Sequence, residues 1–506
     1  MGARALQMEE IVSVARGDAE TELDPAARDA VGARREHVVR HLSGDDPVYG
    51  VNTGIGALAD TSIPREDQRR LQRNIIRSHA AGAGPPLDTE IVRAMMLLRA
   101  RTLATAYPGV RPELPERLLR LLGAGLTPIV PSRGSVGASG DLAQLAHIGL
   151  CVMGEGHMTT REGHELDAGE AHRRAGLEPL ELEAKEGLAL INGTEGMVAL
   201  GVLAHVDAAR LLRTADVTAA MTVEAALGTD RPFAEDLMAL RPHPGQASSA
   251  ANLRALLDGS AIVASHRESV HAVQDPYSMR CAPQVHGAAR DVHRFAGEVL
   301  ERELGSVTDN PVVLEDGRVE SSGNFHGEPL AYALDGMAIG AVGLSNVSER
   351  RTFWILGPGT TRQLPAFLST QPGLGSGYML AQYTQASIVS ECKALAYPAG
   401  VDSIPTSGSQ EDHVSMGWGS GLKLRTIIER VTEVLAIELL CAAQALEIRK
   451  PLEPAAGTRA ALAALRQRVA FLEEDRELAA DIAAATEIVR EGALIDAVER
   501  AIGSLR

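Results

Sequence analysis

A mainly α-helical fold is what the sequence predicts, on three observations. Hydrophobic residues make up 45% of the 506-residue chain while aromatics make up only 3%, so its interior is filled by Ala, Leu, Val and Ile. That diet suits close-packed helices better than strands, which are enriched in aromatic and β-branched residues. The stretch from Leu422 to Lys450 contains neither Gly nor Pro before Pro451, and as a helix it would form a rod about 42 Å long. A second stretch, Leu200 to Leu227, is rich in Ala, keeps its charges on one face and stops at Gly228 and Pro232. Rods this long and apolar pack against one another in bundles.

The elements follow in order. The opening segment MGARALQMEEIVSVARGDAE lacks the apolar run of a secretory signal. Gly2 would suit myristoylation, but position 6 is Leu where that signal needs Ser or Thr. The first half alternates short helices with glycine-rich loops. LPERLLRLL, Leu114 to Leu122, reads as a helix with Pro115 near its start and Gly123 as its stop. TPIVPSRGSVGASGD then leads into the apolar helical pattern LAQLAHIGL, and a further loop surrounds Glu186 to Thr194. From about Gly196 long helices take over, and an Ala-Leu-Glu-Arg segment fills most of the last forty or so residues. The chain is too long for one ordinary core. The expected division is a loop-rich N-terminal domain, 1–195, and a long-helix bundle, 196–506.

The net charge of −17 argues against nucleic acid or an anionic membrane as partner. Within Leu200–Leu227, His205, Asp207, Arg210, Arg213, Asp216 and Glu224 make a bilayer crossing costly. Cys151, Cys281, Cys392 and Cys441 lie far apart, without metal-ligand or redox spacing; they read as reduced thiols in a soluble, cytoplasmic protein.

Six polar, glycine-bearing segments interrupt the helices: YGVNTG from Tyr49, GSVGASGD from Gly134, INGT from Ile191, QDPYSMR from Gln274, GNFHGE within 322–328, and QEDHVSM from Gln410. Function concentrates in such loops on a rigid scaffold. An Ala-Ser-Gly tripeptide alone is weak evidence, and a plain turn before a helix starting at Asp141 explains it. Its setting sharpens the reading, because Gly134, Gly137 and Gly140 clear side chains from around Ser139. Backbone can then approach backbone, as a main-chain nitrogen attacking a carbonyl requires.

Taken together and in this order, GSVGASGDLAQLAH, YGVNTGIG, INGT, VQDPYSMRCAPQVHG, TDNPVV, GNFH and SQEDHVSMG resemble the histidine branch of the aromatic amino acid ammonia-lyases. The match spans roughly residues 45 to 420. The resemblance implies the long-helix bundle of the fumarase/aspartase-like superfamily and a homotetramer with active sites shared between subunits. It also implies that Ala138, Ser139 and Gly140 cyclise with loss of two waters to a 4-methylidene-imidazol-5-one (MIO). The methylene of that group, derived from Ser139, is the electrophile; no metal or nucleotide is required. The substrate implied is L-histidine and the product trans-urocanate.

Residue by residue, Tyr49 would be the base that removes the β-proton. A phenol's ordinary pKa of about 10 then calls for nearby positive charge or helix N-termini; the plainer alternative is a half-buried Tyr bonded within a loop. Arg280 would bind the substrate carboxylate through a bidentate fork, and Tyr277 joins the catalytic set beside it. Asn192 and Gln274 resemble the amides that orient substrate and line the MIO, and Phe325 would wall the ring pocket. His79, in RSHAAGAG, and Glu411 match positions where the histidine branch places polar groups to meet the imidazole. Against them stand a satisfied core histidine and a solvated carboxylate. The nearest rival activities are tyrosine or phenylalanine ammonia-lyase and a 2,3-aminomutase. A catalytically silent helical scaffold and a fumarase-like lyase without MIO are further alternatives. Three departures from the family pattern stand out: Gln144 in place of Pro, Ile55 in place of Phe, and Ser407-Gly408-Ser409 in place of Ser-Ala-Asn.

Overall fold

The computed structural model describes residues 1–17, 19–42, 47–269, 272–359 and 362–506. Its contacts divide the chain into two compact units. The first comprises Met1–Leu203, Gly297–Leu334 and Pro398–Leu422; the second comprises Ala204–Ala296, Asp335–Tyr397 and Lys423–Arg506. The expected cut at 195/196 falls close to the first crossing between them. Two later segments, however, rejoin the first unit, and they carry the GNFH and QEDHVSM motifs.

In the first unit the helix Thr89–Ala104 is buried for nearly its whole length. Helices Met8–Arg16, Pro25–His41 and Glu113–Gly123 pack around it. Glu113–Gly123 is the helix that LPERLLRLL predicts. Pro25–His41 starts where Asp24 accepts from the amides of Ala26 and Ala27 at 2.8 and 3.3 Å, with Pro25 in the first turn. An N-cap carboxylate thus satisfies donors the helix itself cannot. Arg93 performs the converse service: buried, it donates to the carbonyls of Val14 and Gly17 at the end of Met8–Arg16.

Helices Gln68–His79, Leu142–Val152 and Glu186–Ile191 form a second packed group in this unit. Short antiparallel ribbons flank them: Ala83–Pro86 with Pro131–Arg133, Thr127–Pro128 with His157–Thr159 and Glu165–Asp167, and Val312–Val313 with Val319–Glu320.

The second unit is stitched by buried charge. Helices Glu195–Ala225, Glu328–Leu356 and Gly417–Ile448 converge at the fully buried Glu438. Its carboxylate accepts from Thr218 and Thr222 at 2.9 Å each, from Ser348 at 2.7 Å, and from Arg351 at 2.5 and 2.8 Å. A lone carboxylate at this depth would be prohibitively costly; five donors make it a fixed crossing point. Asp216 plays the same part for Ser249, Asn252, His286 and Arg290. The rod predicted over 422–450 is the helix Gly417–Ile448, and that predicted over 200–227 is Glu195–Ala225. The last forty residues hold helices rather than one rod: Leu478–Glu491 ends at Gly492, whose φ of +84° turns the chain into Ala493–Ile502.

One helix among the described residues, Glu328–Leu356, is long and apolar enough to cross a membrane by length and composition. Two thirds of its apolar window (67%) is buried within the protein, as in a core helix. All four cysteines are free thiols.

Candidate active site

The Ala138-Ser139-Gly140 turn is clamped on both sides. At its exit the Asp141 amide donates to the Gly193 carbonyl at 2.8 Å, and Gly140 bridges Gly193 in parallel register. Gly140 has a φ of +81°, and a Cβ there would overlap the Gly193 carbonyl; both conditions restrict the position to Gly. At the entry the Met416 amide donates to Val136 O at 2.9 Å and the Ser415 hydroxyl to Gly137 O at 3.3 Å. A Cβ on Gly137 would strike that hydroxyl. Between the clamps Ala138 is buried and Ser139 half-buried, so the serine is the less covered of the two.

Asp141 does more than open the helix Leu142–Val152. Fully buried, it accepts from the Met197 amide at 2.8 Å, at the start of Glu195–Ala225, and from Ser135 Oγ at 3.2 Å. Burial raises its carboxyl to about 7 against these bonds, and Glu195 adds to the rise. Gln144 replaces the expected Pro and donates to Pro131 O at 3.2 Å, tying this helix to the ribbon before the turn. That departure is accommodated by a new bond.

The segment opposite the turn is held from beneath. Arg99, wholly buried, donates to Asn192 O at 3.0 Å and to Glu195 at 2.9 and 3.0 Å. Glu195 also accepts from Thr102 at 2.8 Å. Asn192 Nδ2 donates to Asn310 O at 2.8 Å, while its side-chain oxygen is buried and without a hydrogen-bond partner. Asn310 in turn accepts the Ser322 amide at 2.7 Å, which links INGT to the GNFH loop through TDNP. Lys185 and Asp309, both fully buried, pair at 2.7 Å beside this link.

Tyr49 lies in the same unit. Gln72 donates to Gly50 O at 3.2 Å and accepts the amides of Gly187 and Leu188, which fixes the tyrosine loop to the helix preceding Asn192. The phenolic oxygen accepts the Gly56 amide at 3.0 Å. Burial pushes the phenol above its ordinary pKa, the Gly56 bond opposes this, and the Glu411 charge adds to the rise. Of positive charge or a helix N-terminus, the two aids named from the sequence, no positive charge acts on Tyr49 among the described residues, and the N–H that opposes the upward shift belongs to Gly56, the first residue of the short helical turn Gly56–Leu58. Ser407, which precedes the departures Gly408 and Ser409, accepts the Ala57 amide at 3.2 Å and so joins the Tyr49 and Glu411 loops. Ile55, the third departure, packs beside Gly50.

Glu411 is half-buried and accepts from Thr406 Oγ at 2.6 Å. His79 ends the helix Gln68–His79 and leads toward the Ala83–Pro86 ribbon. Its Nδ1 bonds Ile75 O at 2.8 Å; a carbonyl only accepts, so Nδ1 carries the proton and Nε2 offers a lone pair. Phe325 is half-buried in a loop whose Gly327 packs against Met197 and Ser415. Tyr49, His79, the Ala138-Ser139-Gly140 turn, Asn192, Phe325 and Glu411 thus all belong to one unit.

Gln274, Tyr277 and Arg280 belong to the second unit. Tyr277 is 72% exposed at the start of the short helix Tyr277–Arg280. The Arg280 guanidinium lies over its ring at 4.7 Å and donates through Nε to Asp275 O at 3.0 Å. Asp275, buried, accepts from Thr229 N and Arg362, so the loop that presents Tyr277 and Arg280 is anchored.

Sequence reasoning passed over Arg99, Glu195, Asp141 and Ser415 as contributors to the site. Arg99 left a signal, a charge inside the apolar run IVRAMMLLRARTLA; Ser415 left only its place within QEDHVSM.

A model of the aromatic amino acid lyase family matches residues 6–467. The histidine ammonia-lyase of Streptomyces avermitilis is 49% identical over 100% of this chain and 99% of its own length. The crystal structure of histidine ammonia-lyase from Trypanosoma cruzi superposes with a TM-score of 0.91 at 40% identity, covering 99% of this chain and 95% of that one. The tyrosine aminomutase of Streptomyces globisporus superposes with a TM-score of 0.94 at 34% identity, covering 100% and 99%.

Proposed function

As a member of the aromatic amino acid lyase family, the chain, we propose, eliminates ammonia from L-histidine to give trans-urocanate, the first step of histidine degradation. The observation that carries this reading is the presence of His79 and Glu411 in the same unit as the clamped Ala138-Ser139-Gly140 turn. The Streptomyces avermitilis relative, at 49% identity over the whole chain, supports it.

The residues present fit an MIO. Joining Gly140 N to the Ala138 carbonyl carbon closes a five-membered ring; one water leaves from that carbonyl, and a second from the Ser139 hydroxyl with its α-hydrogen. The clamps at 136–137 and 140–141 hold the ends of the turn, and the buried, unpartnered Asn192 Oδ1 lies one residue from the Gly193 carbonyl at the exit clamp. The group supplies an electrophile that converts a poor amine leaving group into a good one.

The chain's own residues do the rest. As the phenolate, Tyr49 takes the β-proton at its oxygen, and the Gly56 N–H stabilises that phenolate before the transfer. Arg280, with Gln274 and Tyr277 in its own loop, is the group that the family resemblance assigns to the α-carboxylate. Phe325 walls the ring. Glu411 and neutral His79 are both acceptors, so together they suit an imidazole carrying protons on both nitrogens; alternatively, a protonated His79 donates to a neutral ring. A phenyl ring would leave both groups unpaired, a mismatch of about 10⁴–10⁵ in specificity.

The family resemblance implies a homotetramer. Tyr332, Ile339 and Phe353, each about half exposed, lie 7 and 14 residues apart on one helix. That spacing puts them on one stripe, an apolar face suited to a second copy. Four free, widely spaced cysteines favour a reducing compartment, the cytoplasm.

Incubation with L-histidine, L-tyrosine and L-phenylalanine in turn tests the proposal by absorbance. Growth of the urocanate band on histidine alone is expected. Growth of the coumarate or cinnamate band, or formation of a β-amino acid from tyrosine, would replace it with one of the sister activities.

A further inference from the structure

We propose that His326, Glu328 and His413 form a site for a divalent cation of the Zn2+ type, joining the GNFH loop to the QEDHV loop. Their ligand atoms all lie within 4.8 Å of one another. Glu328 Oε2 is 3.7 Å from His413 Nε2 and 4.0 Å from His326 Nδ1. Tetrahedral zinc with bonds of about 2.0–2.1 Å separates its ligands by about 3.4 Å, so the two carboxylate–imidazole gaps of 3.7 and 4.0 Å close by well under an ångström, and the imidazole pair, within 4.8 Å, by up to about 1.4 Å.

Three features make this more than proximity. First, His326 Nε2 bonds the His413 carbonyl at 3.2 Å. A carbonyl only accepts, so the proton sits on Nε2 and the Nδ1 lone pair is left toward the carboxylate. This is the outer-shell bond that orients metal-binding imidazoles. The Glu328 amide donates to that lone pair at 3.4 Å, a long bond that shows Nδ1 unprotonated and that an ion at Nδ1 would replace. Second, Tyr332 hydrogen-bonds the Glu328 carboxylate, yet Oε2 is buried and has no hydrogen-bond partner. A buried carboxylate oxygen facing an imidazole lone pair is repulsive unless a proton or a metal cation lies between them. Third, His413 is exposed, with 65% of its side chain accessible. The site is open on that side, as expected for an exchangeable ion that keeps a water.

Two imidazoles and one carboxylate favour zinc-like cations over magnesium or calcium, which prefer all-oxygen shells. His326 follows Phe325 directly and His413 lies two residues from Glu411, so the ion would brace both loops of the ring pocket. The two histidines are 87 residues apart, which hides the set from any spacing motif.

The test is titration of chelator-treated protein with Zn2+ against a chromophoric competitor, alongside Co2+ absorption spectra, which need no turnover. One equivalent per chain is expected, with at least tenfold weaker binding in His413→Ala and in Glu328→Gln. His413→Ala, at an exposed position, keeps its fold, which circular dichroism checks. Substoichiometric binding by the unaltered protein, or unchanged affinity in His413→Ala, would overturn the proposal.

Discussion

The Asp141 amide donates to the Gly193 carbonyl at 2.8 Å, and a Cβ on Gly140 would fall on that same oxygen. The exit of the reactive turn therefore tolerates only glycine at 140, where φ is +81°. Gly140→Ala should push the Gly193 backbone away, because its Cβ would overlap that carbonyl on top of the about 1–3 kcal/mol of a strained left-handed residue; circular dichroism checks that the fold survives. The variant should fail to lose two waters and should drop turnover at least a hundredfold. Intact mass and urocanate formation check this; a variant that keeps both would show the clamp to be dispensable.

The buried Asp141 carboxyl, raised to about 7, makes a pH prediction. Its unfolded pKa is near 3.8, so between about 4 and 7 the folded chain binds the extra proton. Stability from this group is therefore present at low pH and lost as pH rises through 7. Asp141→Asn keeps an acceptor for Met197 N and removes the titration. Thermal midpoints at pH 5.5 and 8 should differ less in the variant than in the parent; an equal difference would contradict the assignment.

In the proposed function Glu411 acts on both specificity and base strength. Glu411→Gln should lower kcat/KM for histidine by about 10–100-fold, the worth of a charge-assisted bond, with little change in thermal midpoint. Because the Glu411 charge raises the Tyr49 phenol, the alkaline-rising limb of the pH profile should also move to lower pH. Loss of stability in step with activity would make Glu411 structural.

Tyr49 accepts the Gly56 amide at 3.0 Å and sits above its ordinary pKa. Activity should accordingly climb with pH through the neutral and mildly alkaline range. Tyr49→Phe should cost about 10²–10⁴-fold in kcat and flatten the limb. An unchanged profile would mean that another group takes the proton.

The long helices were legible in the sequence because Gly and Pro are absent from 422–450 and return together at Gly228 and Pro232. The Ala-Leu-Glu-Arg segment of the last forty or so residues is broken by Gly492, whose left-handed φ no periodicity reveals. Ala138-Ser139-Gly140 was legible from its flanking glycines. What clamps it was not: Gly193 and Ser415 approach from 53 and 278 residues away, and tertiary partners at that distance leave no local pattern. Arg99 illustrates the same limit. Its charge in an apolar helix announced a buried partner, but only the fold shows that partner to be Glu195 and the Asn192 carbonyl.

The central claim is that the clamped tripeptide condenses. Mass spectrometry of the proteolytic peptide containing residues 138–140 tests it most directly. The account predicts a peptide lighter than its sequence by two waters, and a Ser139→Ala peptide of full mass in an inactive, folded protein. An unmodified serine at 139 in active enzyme would contradict it.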